Sequence, residues 1–435
     1  MEYFSTRDPQ KKKIHASLAI VNGIAPDGGL YVPSEFPQIK NFEKTTYNEL
    51  ALQILKSYLT DFTEEELAEY IKKAYLTHNP VKLNGDYLEL FHGKTLAFKD
   101  VALQLFPYLL TAALKKNNIN KTAVILAATS GDTGSAVLSG IKNVEKTKAI
   151  VFYPEGGVSS VQRLQMTTQV GGNVHVYAIK GNFDDAQTGV KEIFSDSEFQ
   201  AQFSEKYFFT SANSINLGRL LPQIIYYFYT YKTLLERNEI TAGEKINFVV
   251  PTGNFGNILA GYYAYKMGLP IGKLICATNK NDVLDEYFKT GVYNLDRKFH
   301  LTMSPSMDIL ISSNLERLNY QNFDEDKPLF SSESATDEET LAMIKSVYDE
   351  KNYLLDPHTA VAKCVYEKYK NQSQDERKTI IISTASPYKF PEAVEAAVGE
   401  VLNEKPEQIA NLENLPVRHT SVVTNLKDAI LEVLA

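Results

Sequence analysis

The sequence predicts an α/β protein built from open, mostly parallel sheets flanked by helices, preceded by an N-terminal extension. Three observations predict it. From about residue 90, short apolar runs alternate with segments of helical periodicity. The runs are nearly continuous in Val, Ile, Leu and Ala, as strands buried on both faces require. The turns that follow them are rich in Gly, Ser, Thr and Asn, and repeated β-loop-α units of this kind place helices on both faces of a parallel sheet. Ligands bind such sheets beyond the carboxyl ends of the strands, so chemistry is sought in those turns.

The elements follow in chain order. "TEEELAEYIKKAY" opens with Thr63 and carries Glu66 three residues on, a capping box, and Leu67, Ile71, Ala74 and Tyr75 continue at helical spacing. A single helix is expected from Lys99, with Leu103, Phe106, Leu110, Ala113 and Leu114 on its apolar face. "TAVILAA" reads as a strand, "TSGDTG" as a turn and "SAVLSGIKN" as a helix. "KAIVFYP" with "SSVQRLQMTTQV", and "VHVYAI" with "FDDAQTGVKEIF", repeat the unit. "IIYYFYTYKTLL" is a long aromatic-rich helix. "KINFVVP", "TGNFGN" and "ILAGYYAYKMG" form another strand, turn and helix, and "KLICAT" and "KTIIIST" are further strands. Thr336 with Glu339 forms a capping box, and Asp356-Pro357 supplies an N-cap with proline in the first helical position.

Composition excludes several classes of function. The 435 residues are 44% hydrophobic and 23% charged, ordinary for a globular chain. The net charge of -8 argues against broad nucleic-acid binding. It also means that an anionic ligand needs local donors, because the overall field repels it. No run of about 18 apolar residues exists, so no membrane span is expected. The opening "MEYFSTRDPQKKK" has no charged-then-apolar leader, and a cytoplasmic protein is expected. Cys276 and Cys364, far apart, make neither a disulfide framework nor a zinc site, and the seven histidines show no H-E-x-x-H pattern. No metal is expected.

Two turns have the composition of anion sites. In "VVPTGNFGN", Gly253 and Gly256 allow positive φ and close backbone approach, and the amides and the dipole of the following helix converge on one spot suited to a phosphate. There is no Walker lysine and no G-x-G-x-x-G, so a nucleotide loop is disfavoured; the other reading is a plain βα turn. "AATSGDTGS" has the same plan, with Thr129, Ser130 and Thr133 as hydroxyl donors. Asp132 within it points to a ligand that also carries a hydroxyl or ammonium, or else simply caps the helix. "SANSINLGRLLPQ" gathers Asn213, Ser214, Asn216 and Arg219; Arg219 is suited to a bidentate anion contact, and the alternative is a capping segment with a surface arginine.

"LFHGKTLAFKD" puts Lys99 at the start of an apolar helix, where the dipole disfavours a cation. A lysine so placed either snorkels or is an amine held partly neutral, the type used for Schiff bases. Asp100 beside it would offset part of that effect.

Taken together, "LFHGKTLAFKD", "AATSGDTGSAV", "NSINLGRLLPQ", "VPTGNFGN", "DPHTAVA" and "STASPYKFPEAV" resemble, in that order, the motifs of the threonine synthase family, fold-type II (tryptophan synthase β-like) pyridoxal-phosphate enzymes. "YFSTRD" and "IVNGIAPDGGLYVP" resemble the N-terminus of the bacterial and fungal type. The resemblance spans nearly the whole chain. It implies two open sheet domains: an N-terminal region at 1–85 packing on the large domain, a large cofactor domain at 86–105 and 211–435, and a small domain at 106–210 carrying the SGDT loop. It implies conversion of O-phospho-L-homoserine and water to L-threonine and phosphate, with pyridoxal 5'-phosphate as cofactor.

The resemblance also implies roles. Lys99 forms the Schiff base and moves protons. Gly253, Asn254, Phe255, Gly256 and Asn257 bind the cofactor phosphate through backbone donors. Thr384 hydrogen-bonds the pyridine nitrogen, and a hydroxyl there does not force that nitrogen to stay protonated. Asp132 lies near the cofactor's 3′-oxygen and the substrate. Ser130, Thr133, Asn213, Ser214 and Arg219 hold the substrate's carboxylate or phosphate. A monomer or homodimer is expected, with no nucleic-acid or membrane partner.

The chain departs from the pattern at Ser386, where many relatives have histidine, and at Lys94, where a small residue is frequent; Lys94 either contacts substrate phosphate or is solvated. Competing readings are a threonine synthase-like phospho-lyase on the same substrate class, and a non-catalytic phosphate-ligand binding protein. Intact Lys99 argues against the second.

Overall fold

In the computed structural model, which describes residues 1–75, 79–321 and 323–435, the apolar runs are strands and the polar turns leave from their carboxyl ends. Strands β1 (Tyr3–Ser5) and β2 (Tyr31–Pro33) pair antiparallel in the N-terminal extension. The hairpin of β3 (Lys82–Asn84) and β4 (Tyr87–Glu89) follows. Strands β5 (Thr122–Ala128), β6 (Thr147–Pro154), β7 (Val174–Ile179) and β8 (Tyr207–Ser211) alternate with helices, as do β9 (Ile246–Pro251), β10 (Ile271–Thr278), β11 (Phe330–Ser334) and β12 (Thr379–Ser383). The short β13 (Val422–Val423) closes the series.

Two sheets result. One has the order β11-β10-β9-β12-β4-β3 and is parallel except for the β3/β4 hairpin. The other has the order β13-β7-β6-β5-β8 and is parallel throughout. Central strands are buried on both faces: Ala123 to Ala127 of β5 and Ile246 to Val250 of β9 expose essentially nothing. That burial is why they read as continuous apolar runs rather than alternating ones.

The predicted helix starts are present. Thr63 accepts from the Glu66 amide at 3.2 Å while Glu66 accepts from the Thr63 amide at 2.8 Å. Thr336 and Glu339 form the same reciprocal pair, and Asp356 caps the helix Pro357–Ser373. One expectation is corrected: the helix read from Lys99 through Leu114 is two helices, Lys99–Leu103 and Phe106–Lys116. Pro107 lies in the first turn of the second, where its missing N–H costs nothing, whereas it cannot sit inside a continuous helix.

The chain end also differs from the boundaries expected from sequence. Residues near 422 pair with β7, and the helix Leu426–Leu434 buries Leu426, Ala429 and Ile430 beside Val190 and Ile193. The terminal segment therefore belongs with the five-stranded sheet, not with residues 211–410. We propose the remaining division, at about 85, 105 and 210, as the domain plan.

Candidate active site

The carboxyl ends of β5, β8, β9 and β12 open onto one cleft, and Lys99 stands in its floor. How the lysine gets there is set by the loop before it. After β4 and β12 part, their chains stay tied: Leu90 N–H donates to the Ser383 carbonyl at 2.9 Å, Phe98 N–H to Thr384 at 2.8 Å and Ser386 N–H to Leu96 at 3.0 Å. Leu96 turns the chain with φ of +58°, a conformation a non-glycine residue adopts only when its surroundings enforce it. Asp100 does not face Lys99. Its carboxylate accepts from Thr95 N–H at 2.7 Å and Thr95 Oγ1 at 2.8 Å, bracing the loop. Residue 93 is glycine because a Cβ there would lie 2.5 Å from Asp100 Cβ.

Lys99 is 8% exposed, so it does not snorkel. Its Nζ donates to Ser306 Oγ at 3.2 Å and lies 3.7 Å from Asp132 Oδ2. Burial, above all, pushes its pKa down; Arg219 and Lys389 push the same way, and Asp132 opposes them, leaving it at about 8. The amine is thus available as a free base near neutral pH, which an exposed lysine is not.

The turn after β9 is free of charge. The positive φ expected at Gly253 and Gly256 falls instead on Phe255, which caps the helix Gly256–Lys266 with φ of +61° and makes no side-chain cap. Its ring packs on Phe288 and Phe330. Among the described residues no protein acceptor takes the amides of residues 253 to 256. A Cβ at residue 253 would meet the Ser306 carbonyl oxygen at 2.7 Å. Asn254 is held through its carbonyl by Asn314. The Asn257 Oδ1 accepts from Tyr226 at 2.6 Å and Tyr227 at 2.8 Å, and its buried Nδ2, at the cleft, has no partner among the described residues.

The turn after β5 is different. Thr129 Oγ1 accepts from the amides of Gly131 and Gly134, both at 2.9 Å. Ser130 and Thr133 line the cleft. Asp132 is the first residue of the helix Asp132–Ile141 and does not cap it; Gly131, with φ of +122°, is the cap residue. The Asp132 carboxylate instead accepts from Gln162 Nε2 at 2.9 Å and pairs with Lys389 at 3.0 Å. Burial opposes its charge, but Lys389 and then Lys99 outweigh that and hold it ionised well below the usual carboxylate range.

Asn213, Ser214, Arg219 and Thr384 line the same cleft. Arg219 is 4% exposed, not a surface arginine; one nitrogen donates to the Ala212 carbonyl at 2.8 Å, Nε has no partner among the described residues, and burial lowers its pKa to about 10. Asn216, by contrast, caps the helix Leu217–Leu220 and bonds the Ile20 carbonyl, a structural role. Lys94 is exposed and Ser386 lies behind Thr384 in a neighbouring cleft; neither joins the site.

Three residues beside Lys99 were missed. Ser306 accepts from it; His358 receives the Ser306 amide on Nε2 at 3.2 Å while its Nδ1 faces Asp356 at 2.7 Å, which sets the Nδ1–H tautomer. Lys389 is fully buried. The signals were present in "DPHTAVA" and "STASPYKF", but a histidine after a capping aspartate and a lysine between Tyr and Phe carry no mark of burial.

The residues fit pyridoxal phosphate. A buried amine of lowered basicity meets an aldehyde, free amides at a helix start meet a phosphate, and the unpartnered Arg219 Nε and Asn257 Nδ2 want a second anion. Comparisons with known proteins agree. Residues 88–385 match the family described as pyridoxal-phosphate dependent enzyme, residues 2–75 the threonine synthase N terminus and residues 359–433 the threonine synthase C-terminal family. The chain is 38% identical to threonine synthase of Saccharomyces cerevisiae, over 100% of its own length and 98% of the relative's. It is 38% identical to threonine synthase of Pseudomonas aeruginosa, over 91% and 90%. The crystal structure of PLP-bound threonine synthase from Brucella melitensis superposes with a TM-score of 0.88 at 36% identity, covering 100% of this chain and 98% of that one.

Proposed function

The chain belongs to the threonine synthase family of pyridoxal-phosphate-dependent lyases, and from that premise we propose that its cleft takes O-phospho-L-homoserine and water to L-threonine and phosphate. The observation that carries the reading is Lys99: a buried amine with Thr384, the 252–257 turn and a set of unpartnered anion donors around one cleft.

The substrate brings a carboxylate and a phosphate, and the cofactor another phosphate, to a chain of net charge -8. Local donors have to hold all three. The amides of residues 253 to 256 would hold the cofactor phosphate, and Thr384 at the cleft would meet the ring nitrogen. Ser130, Thr133, Asn213, Ser214 and Arg219 hold the substrate's anionic ends. Pyridoxal phosphate, when bound, supplies an electron sink for carbanions formed on the substrate. Lys99 Nζ takes the proton from the substrate's Cα and serves Cβ and Cγ in turn. Asp132 stays ionised beside it and supports positive charge as it forms. Phosphate leaves from Cγ and water adds at Cβ.

All of these groups come from one chain, which supports a monomer or a homodimer with independent sites. A cytoplasmic setting is inferred from the biosynthetic role; among the described residues no helix is long and apolar enough to cross a membrane.

A coupled assay for phosphate and threonine tests the reading, together with borohydride reduction and peptide mapping. Equal release of the two products and a pyridoxyl label on Lys99 are expected. Phosphate with 2-oxobutyrate and no threonine, or no label on Lys99, would overturn it.

A further inference from the structure

Lys389 comes from the loop after β12, an interior strand of the six-stranded sheet, yet its ammonium lies among groups from elsewhere. It is fully buried. Nζ donates to the Thr95 carbonyl at 2.6 Å and to Gln165 Oε1 at 2.7 Å, and pairs with Asp132 Oδ1 at 3.0 Å. Those acceptors satisfy all three of its N–H groups. Thr95 belongs to the loop that presents Lys99. Gln165 and Asp132 belong to helices on the five-stranded sheet. Lys389 therefore ties the two sheets together at the base of the cleft.

The same contact divides one carboxylate between two lysines. Asp132 gives Oδ1 to Lys389 at 3.0 Å and Oδ2 to Lys99 at 3.7 Å, beyond hydrogen-bonding reach. The closer partner has the stronger claim. The other charged groups around Lys99 do not repair the deficit. Arg219, from the helix Leu217–Leu220, is positive; Asp100, on Lys99's own helix, is turned to Thr95; Asp356 is engaged by His358. With both lysines protonated, the pocket holds two ammonium groups and Arg219 against one carboxylate, and Lys99 is the member free to give up its proton.

We propose that Lys389 is a positioning residue: it holds Asp132 away from Lys99 and so leaves Lys99 the free base on which the reaction depends. Without Lys389, Asp132 would turn its full charge on Lys99 and keep it protonated. The inference rests on Lys99 as the cofactor lysine.

The test reads the amine directly. Full-length apoenzyme is mixed with pyridoxal phosphate across a range of pH. The neutral amine adds to the aldehyde carbon and water is lost, so the capture rate rises with the unprotonated fraction of Lys99; borohydride fixation and mapping confirm the residue. Capture by the unsubstituted chain should show a midpoint at about 8. Lys389→Met should move it up by about one pH unit, a roughly tenfold slower capture at pH 7. Asp132→Asn should move it down. A purely structural Lys389 would slow capture equally at every pH, and an unmoved midpoint in Lys389→Met overturns the proposal. Where Lys389→Met fails to fold by circular dichroism, Lys389→Gln, which is neutral but keeps an N–H for the Thr95 carbonyl, decides: a midpoint raised above that of the unsubstituted chain supports the proposal, and an unmoved one overturns it. Absence of Lys99 capture in the unsubstituted chain would instead sink the functional reading beneath it.

Discussion

Residues 129–134 and residues 252–257 each carry the chain from a buried parallel strand into a helix across a residue of positive φ, Gly131 at +122° and Phe255 at +61°. Neither helix has a side-chain cap. In the 252–257 turn the amides of residues 253 to 256 find no acceptor among the described residues, the turn carries no charged side chain, and Asn257 is anchored by two tyrosines. In the 129–134 turn Thr129 consumes two of the amides and an aspartate, flanked by two lysines, takes over the centre. One backbone device thus serves two purposes. Where the amides are left open, it is an anion cradle; where a hydroxyl fills them, it becomes a mount for a charged group. The first should govern how tightly the cofactor is held and the second how fast the reaction runs.

Lys99, on which both turns converge, gives the largest expected effect. Lys99→Ala should lower steady-state threonine formation by about 10,000-fold or more, because the nucleophile and the proton carrier are lost together. Residual activity within tenfold of the original would end any account in which the two turns share a lysine. Asp132→Asn separates them. Its kcat should fall by roughly 100- to 1,000-fold while cofactor content, measured by absorbance, stays near stoichiometric. Cofactor loss with an unchanged kcat would break the comparison. Gly253→Ala should do the reverse. Its Cβ would lie 2.7 Å from the Ser306 carbonyl oxygen, so the turn must shift; the cofactor Kd should rise by about tenfold, with kcat at saturating cofactor within about threefold.

Much of this was legible in the sequence because its signals are local. Apolar runs, capping boxes and glycine-rich turns depend on neighbours within a few residues, and the strands and helix starts formed where those signals stood. The break at Pro107 was marked by the proline, but apolar spacing ran across it unbroken. Strand β13 is two residues long and carries no pattern of its own; its place on β7 is fixed by the burial of Leu426 and Ile430 beyond it. In the site, motif order pointed to Lys99, Thr384 and the two turns, which line one cleft. Lys389 escaped because its burial depends on Asp132, Gln165 and Thr95, none of them near it in sequence. Asp356 was read as a helix cap, which it is, but the same oxygen that caps also fixes the His358 ring.

The lowered basicity of Lys99 gives a smaller effect with a definite sign. Below about pH 8 the amine is protonated and cannot accept a proton, so the rate falls toward acid and levels off toward alkali. For a base of that strength kcat should rise about fivefold from pH 7 to pH 8 and by no more than about twofold beyond. A rate still climbing tenfold per unit between pH 9 and 10 would mean that the lysine behaves as an exposed one, and that Asp132 and Lys389 do not set its charge.

Lys94 supplies the smallest effect and the sharpest limit to the comparison. It follows Gly93 in the loop that presents Lys99, and charge alone would assign it to the anion-binding wall. Its side chain is exposed, however, and it borders a separate cleft with Asp100 and Gln104, on the far side of the helix from Lys99. At that exposure solvent screens its field. Lys94→Ala should therefore change kcat by less than about twofold and KM by less than about threefold at physiological ionic strength. The informative measurement is KM against salt for both forms. If Lys94 steers the doubly anionic substrate toward the cleft, the substitution will raise KM at low salt and the difference will vanish as salt increases. If it touches the substrate phosphate, the difference will persist at high salt, and the donors around Arg219 would have to be counted as incomplete.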